Sequence, residues 1–229
     1  QAEERIVHAL QKHFPDHSIL AEEETTIAGP QSGYRWIIDP LDGTTNFAHA
    51  YPHFSVSIAL EREGEIILGL VYDPLREESF KAAKGQGASL NGKPIQTSKV
   101  TELERALLAT GFPYDRRERA ALYLAFFKAF MVRSQGIRRN GSAALDLCYL
   151  ACGRVDGFWE FKLHPWDIAA GGLIVREAGG NLTDFSGKDF SIWSEETLGS
   201  NGLIHAEMLR IVSEVKNGLE LQKVRDTRR

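Results

Sequence analysis

The chain has little cysteine, little methionine, no long apolar run and no excess of positive charge. Only 2 cysteines occur in 229 residues. Cys148 and Cys152 stand four apart in an apolar, helix-like stretch. Residues on one helical face do not usually bridge, and two soft donors do not complete a zinc site. A disulfide-stapled secreted fold is therefore excluded, and both thiols are expected to be reduced core residues of a cytoplasmic protein. No apolar segment approaches the roughly 20 residues that cross a bilayer. Residues 1–14 read as an amphipathic helix rather than a signal peptide. With Lys+Arg 27 against Asp+Glu 31, the net charge is −4. No global positive field exists to recruit nucleic acid or an anionic membrane. Internal repeats and low-complexity linkers are also lacking. A chain with 43% hydrophobic and 25% charged residues is an ordinary globular one, which excludes disorder, collagen and coiled coil.

Periodicity orders the rest. Ile6, Ala9, Leu10 and Phe14 recur at helical spacing until Pro15. Residues 17–21 are extended and run into the acidic triplet Glu22, Glu23 and Glu24. Residues 25–33 form a polar loop, and 34–38 a buried strand ending at Asp39 and Pro40. From Phe54 the pattern is a β meander: strands over 54–62 and 65–72 about a Glu63-Gly64 turn, then 79–83 and 88–90. A strand is expected at 106–110 and a helix at 116–134. After that, extended segments at 136–139, 157–161, near Leu182 and at 198–200 alternate with helices at 142–151, 166–178 and 205–219. The tail beyond Lys223 is expected to fray. Two lobes are expected, residues 1–135 with the large antiparallel sheet and residues 136–229 as an α/β half that completes a site.

The chemistry concentrates in Trp36-Ile-Ile-Asp-Pro-Leu-Asp-Gly-Thr-Thr-Asn-Phe47. A hydrophobic strand delivers Asp39 and Asp42 at its end, where Pro40 stops the strand. Gly43 permits a tight turn, and Thr44 to Asn46 open a short helix with free N–H groups. Clustered carboxylates beside a helix N-terminus suit a metal ion and a phosphate together. In isolation an Asx-turn explains as much. It is not isolated, because Glu22 and Glu23 end another strand and Asp167 opens the first turn of an apolar helix.

Together these segments resemble the inositol monophosphatases, within the lithium-sensitive, Mg²⁺-dependent phosphatases. The resemblance rests on residues 38–47, on Pro165-Trp-Asp-Ile-Ala-Ala-Gly-Gly172 with Glu177-Ala-Gly-Gly180, on Ser18-Ile-Leu-Ala-Glu-Glu23, and on Gly141-Ser-Ala-Ala144. It implies a layered α-β-α-β-α sandwich of mixed α+β and α/β character. It further implies a phosphoric monoester hydrolase of the cytoplasm, usually a homodimer, with a small phosphate monoester as substrate and no nucleic-acid partner. Matched motif by motif, the metal ligands fall on Glu22, Asp39, the Leu41 carbonyl, Asp42 and Asp167, holding two to three Mg²⁺ ions. Glu23 is a further ligand or the support of one. Gly43 and Thr44 match the phosphate cradle. Asp42, Gly141, Ser142, Ala143, Glu160 and Asp167 match positions that meet the substrate polyol. The implied catalytic residues are Glu22, Thr44 and Asp42, with in-line attack by a metal-activated water.

Thr45-Asn-Phe47 resembles the inositol-phosphatase members, which points to inositol 1-phosphate or a similar sugar phosphate. Fructose 1,6-bisphosphate, a nucleotide 3′-phosphate or histidinol phosphate is the alternative substrate. A binding or assembly protein that keeps the fold is the non-enzymatic alternative. There are departures from the family pattern. Ala21 replaces a usual Gly, Glu24 adds charge near the metals, and Arg138 and Arg139 precede Gly141. The family's first helix, with the Asp that partners Thr44, has no counterpart before Glu22. That segment is expected to precede Gln1 and to be mobile, and a protein starting at Gln1 is expected to be catalytically impaired.

Overall fold

The structure is a computed structural model that describes residues 1–23, 26–27 and 33–226, with side chains to residue 220. Helix α1 (Ala2–His13) turns Val7 inward, with Ile6 and Leu10 packed beside it on Ile19 and Ile38. The first strands are β1 (Ser18–Ala21), β2 (Thr26–Ile27) and β3 (Tyr34–Asp42), followed by the short helix α2 (Thr44–Ala48). The meander comprises β4 (Ser55–Arg62), β5 (Glu65–Asp73), β6 (Glu78–Ala83), β7 (Ala88–Leu90) and β8 (Lys93–Ile95). Then come β9 (Leu107–Thr110), α3 (Ala120–Met131), β10 (Gly136–Arg138), α4 (Ala143–Ala151) and β11 (Gly157–Phe161). The chain closes with α5 (Pro165–Glu177), β12 (Asn181–Thr183), β13 (Glu196–Ser200) and α6 (His205–Asp226).

An eight-stranded sheet runs β2-β1-β3-β4-β5-β6-β7-β8, antiparallel except where β1 lies parallel to β3. A five-stranded mixed sheet runs β10-β9-β11-β13-β12. Helices α4 and α5 lie between the sheets, α1 packs outside the large sheet, and α3 and α6 pack outside the small one. This is a layered α-β-α-β-α sandwich. The central layer is largely apolar: α4 buries Ala144, Leu145, Leu147 and Cys148, and α5 buries Ile168 to Val175. Cys148 is buried and Cys152 half-buried, both as free thiols.

Several expectations shift. Pro40 does not end its strand. β3 continues to Asp42, and the register slips between Asp39 and Asp42 as a bulge. A bulge leaves a backbone N–H unpaired, which a proline tolerates. Part of the expected polar loop is β2, paired antiparallel with β1. The helix expected from residue 116 begins at Ala120, after a 3-10 turn at Tyr114–Arg117. The sheets divide before β9, ahead of the expected boundary at residue 135, because β9 pairs with β10 and β11. Helix α6 runs to Asp226, past the expected end at 219.

Gly69 sets the distance between the large sheet and the central helices. A Cβ there would lie 2.7 Å from the Ala170 carbonyl oxygen and 3.1 Å from its Cα. Both contacts are backbone, so no rotamer change relieves them, and α5 would have to withdraw from β5. Overpacking of this kind costs about 1–3 kcal/mol. Gly69→Ala is therefore expected to lower the urea midpoint by that equivalent at unchanged slope. An unchanged midpoint would show that the two layers are not in close contact here.

Candidate active site

Three carboxylates from two elements meet where the sheet gives way to the central helices. Asp39 and Asp42 come from the bulged end of β3, and Asp167 from the first turn of α5. One oxygen from each lies within 4.8 Å of the other two. Each is fixed by donors. Leu41 N donates to Asp39 Oδ1 at 2.8 Å, and His164 N donates to Asp167 Oδ2 at 2.7 Å. Asp42 Oδ2 accepts from Ser142 Oγ at 2.6 Å and from Ala144 N at 2.8 Å. The bulge explains the first pair, since the slipped register lets residues three apart address one point.

The three line a cleft of about 750 Å³ with Glu22, Leu41, Gly43, Thr44, Asn46 and the start of α4. Arg116, Arg139, Asp146, Glu160 and Trp193 complete its wall. A larger cavity of about 960 Å³ lies over β5 to β8. It is mostly apolar, and Glu177, which accepts from Gly85 N and Gly87 N at 2.8 Å, is the one acid lining it among the described residues. The carboxylate cleft is the chemically equipped one.

The expected site residues are disposed as follows. Glu22 is exposed at the end of β1 and lines the cleft, outside the tight group of three. Glu23 is exposed, and its backbone N–H donates to Glu3 Oε2 at 3.1 Å. Gly43 holds a left-handed φ of 96°, and the Thr44 hydroxyl donates to the Leu41 carbonyl at 3.0 Å. The expected hydroxyl and carbonyl thus engage one another. Gly141 has φ 87°. Ser142, expected to face substrate, is buried, caps α4 by accepting from Leu145 N, and gives its proton to Asp42. Ala143 opens α4 at the cleft wall. Glu160 reaches across to Gly111, where a Cβ would lie 1.9 Å from Glu160 Oε1. Glu24 lies outside the described residues.

Sequence reasoning passed over Asp146, which is buried and accepts from Asn140 Nδ2 at 2.7 Å. Its available signal was a lone acid in the otherwise apolar run 143–151. Asn46 was read only as motif, yet its amide bridges two loops, donating to His53 O and to Asn140 O, each at 2.7 Å.

These acids share too little solvent. Burial pushes Asp39 well above the usual carboxylate range, and the charges of Asp42 and Glu22 add to that. Asp42 is raised by burial and held down by Ser142 Oγ–H and by the N–H groups of Ala144 and Ala143. Burial and the charge of Asp42 push Asp167 up to about 8. Burial carries Asp146 to about 8 as well, and raises Glu160 with help from Asp146 and Asp167. Hard oxygen donors whose charged forms are disfavoured together fit a divalent cation such as Mg²⁺, which would remove the repulsion.

Asp146 and Asp167 hold protons more tightly folded than unfolded, so their contribution to stability is full below the ordinary carboxylate range. It is lost as pH rises toward about 8. Metal-free protein is expected to melt several degrees lower at about pH 8.5 than at about pH 5.5, with Mg²⁺ restoring more at the higher pH. Scanning fluorimetry with and without EDTA checks this, and a flat metal-free profile would contradict it.

Among known proteins, the chain is 42% identical over 220 residues to the Nus factor SuhB of Escherichia coli strain K12, covering 96% of this chain and 82% of that one. The inositol monophosphatase of Anabaena (Nostoc) sp. PCC 7120 superposes with a TM-score of 0.89 at 46% identity, covering 93% and 84% of the two chains. The inositol monophosphate-bound SaIMPase-II, from Staphylococcus aureus, matches at a TM-score of 0.84 and 26% identity, covering 96% and 86%. No helix among the described residues is long and apolar enough to cross a membrane. With the inositol monophosphatase family model matching residues 1–217 over this same sandwich and acidic cleft, the chain belongs to the inositol monophosphatase family.

Proposed function

We propose that this chain is a Mg²⁺-dependent phosphoric monoester hydrolase acting on inositol 1-phosphate or a similar polyol or sugar phosphate. The observation that carries this reading is the convergence of Asp39, Asp42 and Asp167 beside the Gly43–Thr44 turn. Those three residues would hold Mg²⁺ with Glu22 at the cleft mouth and the Leu41 carbonyl beside them. Bound there, Mg²⁺ supplies Lewis-acid neutralisation of phosphoryl charge, the main obstacle to cleaving a phosphate monoester. The chain's own residues do the placing. Gly43 and Thr44 present backbone N–H groups to the phosphate, Thr44 offers its hydroxyl, and Glu22 orients the attacking water. Gly141 and Ala143 shape the polyol end, with Glu160 meeting its hydroxyls. Glu23 supports the Glu22 end of the cleft. The inositol monophosphate held by SaIMPase-II supports the choice of substrate. Arg116 and Arg139, which also line the cleft, keep a second phosphate, as in fructose 1,6-bisphosphate, within the substrate range.

A panel of phosphomonoesters assayed for released phosphate tests this. Release from inositol 1-phosphate should require Mg²⁺ and fall with Li⁺. No Mg²⁺-dependent release from any ester would overturn the reading.

The name Nus factor, carried by a relative at 42% identity, favours a second role in assembly with other macromolecules. Such a role uses the outer surface, so a variant without phosphate release should retain it.

A further inference from the structure

One hydrogen-bonded chain connects the phosphate turn to the buried interior of α4 without using any of the expected metal ligands. Asn46, in α2, spends both protons of its amide nitrogen, one on His53 O and one on Asn140 O, at 2.7 Å each. Asn140 is therefore pinned by its backbone from the α2 side. Its own side chain donates to Asp146 Oδ1 at 2.7 Å, which pins it to the interior of α4. Asp146 is 1% exposed, so that bond lies away from competing water.

The next two residues lead from this pin to Asp42. Gly141 passes close beneath the amide of Asn46, and a Cβ there would lie 3.1 Å from Asn46 Nδ2. A Cβ on Gly43 would lie 3.2 Å from the Gly141 carbonyl oxygen, so the two loops touch backbone to backbone. Ser142 then delivers its hydroxyl to Asp42 Oδ2 at 2.6 Å.

We propose that Asn46, Asn140 and Asp146 are positioning residues that hold the loop at 140–142 in register with the phosphate turn, and so fix the orientation of Asp42. Losing either pin lets the Ser142 end of the loop shift against β3 and leaves Asp42 with its bond to Ala144 N alone. Side chains that orient a ligating carboxylate typically change metal affinity by 10–100-fold when removed. This positioning role rests on the phosphatase reading where it concerns turnover, and on the acidic cleft alone where it concerns metal binding.

The test uses the full chain with Mn²⁺ as probe, free ion being counted by electron paramagnetic resonance. Mg²⁺-dependent phosphate release and thermal unfolding are followed in parallel. Asn46→Ala and Asn140→Ala are expected to weaken Mn²⁺ binding by about tenfold and to lower kcat with KM within about twofold. Asn140→Asp, isosteric with the native residue, replaces the amide donor with a second carboxyl group, so that the pair must share a proton or repel, and should weaken Mn²⁺ binding, though by less than Asn140→Ala. Adding Asp146→Asn restores an amide–carboxylate pair with its ends exchanged, and should return affinity to within about threefold of native.

Unchanged Mn²⁺ affinity in the folded single variants would overturn the proposal. Failure of the exchanged pair to recover would do so too, because a merely structural loss would not be rescued by reversing one bond. If the native chain released no phosphate from any ester while the Mn²⁺ affinities kept this order, the positioning role would stand and the phosphatase reading would fall.

Discussion

Asp42→Asn is expected to reduce Mg²⁺-dependent phosphate release by at least about a thousandfold, equivalent to about 4 kcal/mol of transition-state stabilisation. The substitution preserves shape and removes only charge. The environment at Asp42 is built for a carboxylate: Oδ2 accepts from Ser142 Oγ at 2.6 Å and Ala144 N at 2.8 Å. An asparagine can keep those two bonds through its own oxygen, so the fold should survive and the metal should leave. Stability should rise in the metal-free state, because one of three mutually repelling acids has gone. Loss of activity with an unchanged or higher melting temperature therefore separates this account from simple unfolding. Phosphate release by stopped assay, with calorimetry on the same preparation, checks both halves.

Gly43→Ala is the second large effect, and it acts through the backbone. Gly43 holds φ at 96°, a left-handed value that L side chains rarely adopt. A Cβ would also lie 3.1 Å from the His53 carbonyl oxygen and 3.2 Å from that of Gly141. Both neighbours are main chain and cannot rotate away. The turn must open, carrying Thr44 from the Leu41 carbonyl it bonds at 3.0 Å. A loss of about a hundredfold in kcat/KM is expected, with stability lowered by about 1–3 kcal/mol from strain. Activity within a factor of three of native would remove this turn from the proposed phosphate cradle.

The sandwich and its acidic cleft were legible because the segments that build them have short-range signals. The β3 motif couples a buried strand to Asp39, Asp42 and Gly43 within a few residues, and the meander declares itself through alternation and tight turns. What escaped the sequence depends on partners distant along the chain. Pro40 reads as a strand terminator by itself, yet the slip against β4 lets β3 absorb it as a bulge. Ser142 lines the cleft as expected, but that its hydroxyl serves Asp42, 100 residues away, was not legible. Asp146 gave only a faint signal, one acid in an apolar helix. Its meaning depends on Asn140 and on Asn46 reaching across 94 residues. The end of α6 was missed for a simpler reason. Beyond Leu219 charged and polar residues dominate and read as a frayed end, although Leu221, Gln222, Lys223 and Arg225 are all good helix formers and the helix continues to Asp226.

We propose that the acidic cleft performs Mg²⁺-dependent phosphate monoester hydrolysis. Its most direct measurement is phosphate release from inositol 1-phosphate across a Mg²⁺ titration, for the native chain beside Asp42→Asn. Saturable, metal-dependent release is expected from the native protein, and none above background from the variant. Equal release by both, or release by the native chain that is indifferent to Mg²⁺, would contradict it.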